Sequence, residues 1–264
     1  MRFADNTMGM KAKKITRWDG ARVVMAAVNW AFGSSRCTVC GRRSIWGKLC
    51  RECEGVLARK AFCDTTRRCR VCGKRLNEDA EGDMCEGCTK ERILTSADRV
   101  FHTIEYRSHL KTLLLDWKER DERSLSLPLA KIAAASLQQQ FDGEYCLTPV
   151  PPRPGKLFTR GWDQVEELSR ILRGKFGFKV QRLLRRTSET EQKSLRKEGR
   201  LETIGKSYVA SGLLLRLQRQ GKVPRHVVLM DDIYTTGATA QSCALILKEA
   251  GVQVVDVFTL FAVP

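Results

Sequence analysis

A chain of 264 residues, 42% of them apolar, has the length for one α/β domain plus a small appendage and is too apolar for a disordered polymer. Its 47 Lys and Arg against 30 Asp and Glu leave a net charge of +17, spread along the chain rather than gathered in a tail. That balance suits phosphate-bearing partners, small or polymeric, without choosing between them, and no run reaches the roughly 18 apolar residues that a membrane-spanning helix requires.

The first section, residues 1–36, reads as a basic extension followed by a short amphipathic helix. Arg22 to Gly33 has the outline of a signal-peptide core, yet Asn29 and Trp30 interrupt it and cysteines at metal-binding spacing come next. A reducing, cytoplasmic location is the expectation.

Eight of the eleven cysteines fall between residues 37 and 95 in two units, Cys37-x2-Cys40-x9-Cys50-x2-Cys53 and Cys69-x2-Cys72-x12-Cys85-x2-Cys88. The sequence around them also repeats, since Cys-Thr-Val-Cys-Gly-Arg-Arg at 37–43 returns as Cys-Arg-Val-Cys-Gly-Lys-Arg at 69–75, the mark of an internal duplication. Each C-x2-C pair brings two thiolates to one ion, the glycine that follows permits the tight turn, and two pairs close a tetrahedral site. Two structural Zn²⁺ ions are expected, supplying folding energy that units this small cannot draw from a core. The cations decorating these units fit contact with nucleic acid or protein as well as plain scaffolding. Cys63 is left over, and Cys146 and Cys243 read as buried small hydrophobes.

Residues 96–264 form the third section. Alternation over Arg99 to Tyr106 predicts a strand, and Leu110, Leu113, Leu114 and Trp117 predict a helix ending at Lys118. A second helix is expected over about Ser126 to Phe141, with Pro128 tolerated near its start, and Tyr145 to Val150 reads as the next strand. A stiff, Pro-rich loop follows, carrying Arg153, Lys156 and Arg160, and opens a helix at about Trp162. Those cations suit a second anion. Arg182 to Lys206 holds eight cations and four Glu with little periodicity, and Tyr208-Val209-Ala210 and Val254 to Ala262 supply further strands. The domain is expected to be a parallel sheet flanked by helices, with its ligand at the carboxyl ends of the strands.

The segment from Val227 to Thr239 changes character three times. Four apolar residues, Val227 to Met230, suit a strand buried on both faces; Asp231 and Asp232 close it; and Thr235-Thr236-Gly237-Ala238-Thr239 opens a helix whose stripe is Cys243, Ile246, Leu247 and Ala250, with Gly251 as the stop. Gly237 lets the backbone approach a phosphate closely, free amides at the helix start hold it, and the paired carboxylates accept ribose hydroxyls or hold Mg²⁺ through its water shell.

This segment resembles the phosphoribosyl-pyrophosphate (PRPP) motif of type I phosphoribosyltransferases. The order of an N-terminal four-cysteine unit, Pro149-Val150-Pro151 to Arg160-Gly161-Trp162-Asp163-Gln164, a block with Gln192, Leu195 and Arg200, and the acidic cradle is similar to that of the ComF family of competence-associated, phosphoribosyltransferase-like proteins. The resemblance covers about residues 37 to 264. It implies a 5′-phosphate on Thr235 to Thr239, ribose and Mg²⁺ on Asp231 and Asp232, pyrophosphate on Lys156, Arg160 and Gly161, a mobile hood bearing Gln192 and Arg200, and a role in DNA uptake. PRPP or a related phosphosugar is the implied ligand, with single-stranded DNA and the competence machinery as further partners. The family carries Asn where this chain has Asp163, and one four-cysteine unit where this chain has two.

Overall fold

The computed structural model describes residues 24, 35–45, 47–62, 67–76, 82–90, 94–105, 108–153, 155, 160–187 and 207–262. Apart from Val24, which is helical, the expected amphipathic helix of the first section lies outside them, as do Cys63, Lys156, Gln192 and Arg200.

Four parallel strands make the central sheet, in the order β3 (Arg99–Glu105), β8 (Val254–Ala262), β7 (His226–Tyr234) and β4 (Cys146–Pro149). An extended segment at 179–181 bonds to Leu147 and lengthens the β4 edge. One face carries α3 (Ser108–Lys118), α4 (Ser126–Gln140) and α5 (Gln164–Phe176), packed around Trp117, Leu129, Leu168 and Phe258. The opposite face carries α6 (Gly212–Arg219) and α7 (Ala238–Glu249), packed around Leu214, Leu229, Leu247 and Val257. Burial on both faces explains why β7 and β8 read as nearly continuous apolar runs.

One expectation is corrected. Tyr208–Ala210, here β6, does not join the parallel sheet; it pairs antiparallel with β5 (Leu184–Arg186) in a separate two-stranded ribbon.

The two cysteine units dock on opposite faces. The first contains the strand pair β1 (Ser35–Arg36) and β2 (Arg43–Ser44) and leads into α1 (Arg51–Phe62). Its Cys37 and Leu49 enter the core beside Trp117 and Leu125, and Glu54 takes an ion pair from Lys131 of α4 at 2.6 Å. The second unit, ending in the short helix α2 (Glu86–Lys90), places Cys69 and Val71 in the other core with Val100, Tyr234 and Val257. Its Gly73 has φ +68°, and a Cβ there would lie 2.6 Å from the Val100 carbonyl and 2.7 Å from the His102 ring, so backbone packs directly on β3.

The connections out of β4 and β7 diverge, one leading to α5 on one face and the other to α7 on the opposite face. A crevice therefore opens between the carboxyl ends of these neighbouring strands, where α/β sheets of this kind place their ligands.

Candidate phosphate-binding site and metal centres

β7 runs on through both acids to Tyr234, pairing Asp231 with Thr259 and Tyr234 with Ala262, so the expectation that the carboxylates close the strand is corrected. Successive strand residues point to opposite faces, and the partners of the two acids agree. Asp232 turns toward α3, where Lys118 Nζ stands 2.7 Å from its Oδ2. Asp231 turns toward α7 and lines a cavity of about 30 Å³ with Val150, Tyr234, Gly237, Thr239 and Thr259. Burial, followed by the neighbouring Asp232 charge, pushes the Asp231 carboxyl up to about 7.

The turn after β7 is built around Gly237, whose φ of +84° favours glycine. A Cβ at this position would meet the Tyr234 hydroxyl at 2.5 Å, so the main chain lies against that phenol. Gly237 caps α7 without a side-chain bond. Among the described residues no backbone carbonyl takes the amides of Thr235, Thr236, Gly237, Thr239 or Ala240; Ala238 N reaches only the Thr236 hydroxyl, at 3.4 Å. The Thr235 and Thr236 side chains are exposed, and Thr239 lines the cavity beside Asp231. A row of unengaged amides at a helix start, beside a buried carboxyl, has the donor set for a phosphate ester.

Arg160, expected to serve a second anion, is held by the protein: its guanidinium pairs with Asp121 at 2.7 Å and donates to the Lys118 carbonyl. The same carboxylate accepts from Trp162 Nε1 at 3.1 Å, and Arg123 lies over the Trp162 ring at 5.0 Å. Gly161 adopts φ +71° between them. Helix α5 starts at Gln164, two residues later than expected, because Asp163 is its N-cap and accepts from the amides of Val165 and Glu166 at 2.9 and 3.1 Å. The carboxylate that departs from the family pattern is thus spent on the helix start.

Sequence reasoning missed Lys118, Tyr208 and Tyr234. Lys118 read as a helix-terminal cation, yet its side chain holds Asp232 while its carbonyl receives Arg160 from the opposite loop. Tyr208 is buried in the same core as Tyr234 and carries Arg186 over its ring at 5.1 Å.

Both cysteine units gather four sulfurs within 4.8 Å of one another. Cys40 and Cys50 are 3.8 Å apart and Cys72 and Cys85 are 3.6 Å apart, far beyond a disulfide bond and close to the ~3.8 Å edge of a tetrahedron with metal–sulfur bonds of about 2.3 Å. The duplication extends to electrostatics. Burial raises the Cys37 thiol, but the amides of Cys50, Cys40 and Val39 outweigh it and bring the thiol down to about 7; burial and the amides of Cys72, Cys85 and Val71 bring Cys69 to the same value. Each unit thus has one thiol held below the ordinary cysteine range by backbone amides. Cys146 and Cys243 are buried apart from both, as expected.

No protein-family model matches the chain. Over 214 residues, spanning 80% of this chain and 86% of the relative, it is 28% identical to competence protein ComFC of Streptococcus pneumoniae. Over 227 residues, 80% of this chain and 95% of the relative, it is 23% identical to competence protein F of Haemophilus influenzae. No helix among the described residues is long and apolar enough to cross a membrane.

Proposed function

We propose that this chain, a ComF-family protein with two four-cysteine units, binds PRPP with Mg²⁺ at the crevice between β4 and β7, carries Zn²⁺ in both cysteine units, and serves DNA uptake. The observation that carries the reading is the row of amides from Thr235 to Ala240, none taken by a backbone carbonyl of the described residues, beside Asp231. Those amides and the hydroxyls of Thr235, Thr236 and Thr239 hold the 5′-phosphate, with Gly237 allowing close approach. Asp231 and Asp232 take the ribose hydroxyls and the water shell of Mg²⁺, which when bound offsets charge on the leaving pyrophosphate.

Binding at Asp232 requires Lys118 to give up its ion pair, and the freed ammonium then stands between the acid wall and the β4 loop, beside the leaving group. Lys156 and Arg160 serve the pyrophosphate side, Arg160 from its anchorage on Asp121, and Gln192 and Arg200 belong to the hood. For transfer, ionisation at the anomeric carbon builds positive charge on the sugar, so the protein's work is to hold both phosphates and exclude water. No strong general base is required of it.

The name-bearing similarity to competence proteins supports the setting, and the net positive charge suits a polynucleotide partner as well. Titration calorimetry with PRPP and Mg²⁺ on the natural chain and on Asp231→Asn with Asp232→Asn tests the reading. Binding by the natural chain and its loss in the double variant is expected. No PRPP binding at all, with single-stranded DNA bound equally well by both proteins, would overturn it in favour of a non-catalytic DNA-binding role.

A further inference from the structure

The second cysteine unit stands in direct line with the phosphate loop. Gly73, which follows Cys72, packs its backbone on the His102 ring; a Cβ would come within 2.7 Å of it. His102 in turn stacks on Tyr234 at 6.0 Å between centroids, with 30° between the ring planes. Tyr234 is 9% exposed, and its hydroxyl lies under Gly237, leaving no room for a Cβ between phenol and loop. Cys69, Val71, Val100 and Tyr234 share one buried core, and the four thiols of the unit lie near enough to act on the phenol electrostatically. Metal unit, imidazole, phenol and loop backbone therefore form one packed column.

We propose that metal in the second unit sets the shape of the phosphate loop through Tyr234, which acts as a positioning residue. The inference rests on the phosphosugar reading for its purpose, though not for its mechanics. A four-thiolate site without its ion loses the bonds that hold its two C-x2-C turns together. The Gly73 turn then no longer presses on His102, Tyr234 loses its backing, and the amides from Thr235 to Ala240 lose the common orientation that a phosphate needs. The chain duplicates a unit that already stabilises one face of the sheet; the second copy acquires a task at the other face, where the ligand loop begins.

The test reads amide hydrogen exchange across residues 235–240 in the full zinc-loaded chain, alongside zinc content and PRPP affinity. Cys85→Ser is expected to lose one zinc per chain and to speed exchange in that peptide, leaving the β4 peptide at 146–149 unchanged. Tyr234→Ala is expected to speed it equally with both zinc ions retained, and Tyr234→Phe, which keeps the ring, to match the natural chain. The two changes combined add nothing further, because both act on one column. PRPP affinity falls by about tenfold in Cys85→Ser and in Tyr234→Ala, the scale of coupling through packed side chains. Natural exchange across 235–240 in either Cys85→Ser or Tyr234→Ala, or fully additive effects, would overturn the proposal. If the natural chain binds no PRPP, the phosphosugar reading fails while the exchange result still decides the coupling.

Discussion

Lys118 Nζ stands 2.7 Å from Asp232 Oδ2, and Asp232 is only 7% exposed. A carboxylate so placed needs a cation or a metal, since a charge left alone away from water is expensive. Lys118 is that cation in the free protein, and on the proposed function Mg²⁺ and ribose would take its place. Lys118→Met is expected to lower stability by about 1–3 kcal/mol, less than the loss for a wholly buried pair because the Lys118 side chain is about one-third exposed. Adding Asp232→Asn should restore most of the difference. Chemical denaturation of the single and double variants measures it, and equal destabilisation by both would refute the pairing as the cause.

Asp231 gives the site a pH dependence of known sign. Its folded carboxyl titrates at about 7, raised by burial and then by Asp232, whereas an unfolded chain titrates near 4. The folded state thus favours the proton. The penalty for ionising Asp231 is absent below about pH 4, grows between about 4 and 7, and is complete above that, so this group's contribution makes the protein less stable as pH rises through the window. Asp231→Asn should flatten that slope and raise stability at pH 8. A ligand that grips the ionised form reverses the sign for binding. PRPP with Mg²⁺ should bind more tightly from pH 5.5 to 7.5 and release a proton, measured by calorimetry in buffers of different ionisation enthalpy.

The elements around the site were legible wherever local pattern decides structure. Buried strands at 227–230 and 254–262, the α7 stripe and its Gly251 stop, and the helix ending at Lys118 all follow from periodicity and end signals. Partnership was not legible, because it is decided by tertiary contact. Nothing around Lys118 announces Asp232, and nothing around Arg160 announces that Asp121 and a carbonyl would claim it. Three residues at Tyr208–Ala210 carry too little pattern to reveal whether they join the large sheet or a separate ribbon. The acids read as a strand end because carboxylates seldom sit inside a sheet; the pairing with β8 overrides that preference.

Gly237 offers a sharper test of the loop. In Gly237→Ala the new methyl group would lie 2.5 Å from the Tyr234 hydroxyl and 3.1 Å from the ring carbon bearing it, at a backbone angle that L residues rarely adopt. The backbone strain alone costs about 1–2 kcal/mol, and the clash adds to it by moving loop or phenol. The variant should lose PRPP binding beyond what its lowered unfolding midpoint explains. Combining it with Tyr234→Phe removes the shorter contact and leaves the longer, so part of the stability and little of the binding should return. Full recovery of binding would mean that the clash, rather than the loop's backbone conformation, governs the site.

Metal removal should act on both halves of the protein, because Cys37 and Leu49 belong to the core beneath α3 and α4, while Cys69 and Val71 belong to the core beneath α7. The two units share geometry and an ionisation pattern, with one thiol in each brought to about 7 by backbone amides. Two zinc ions per chain are expected by elemental analysis, and a ratio near one would show that the units differ in occupancy. Chelation exposes apolar surface on both faces of the sheet, so the melting temperature should fall, and a hydrophobic dye should bind to the stripped chain. Acid should do the same, since protons compete with zinc for thiolates. Zinc loss followed against pH by a colorimetric chelator should precede unfolding followed by tryptophan fluorescence, because Trp117 lies in the core that the first unit covers.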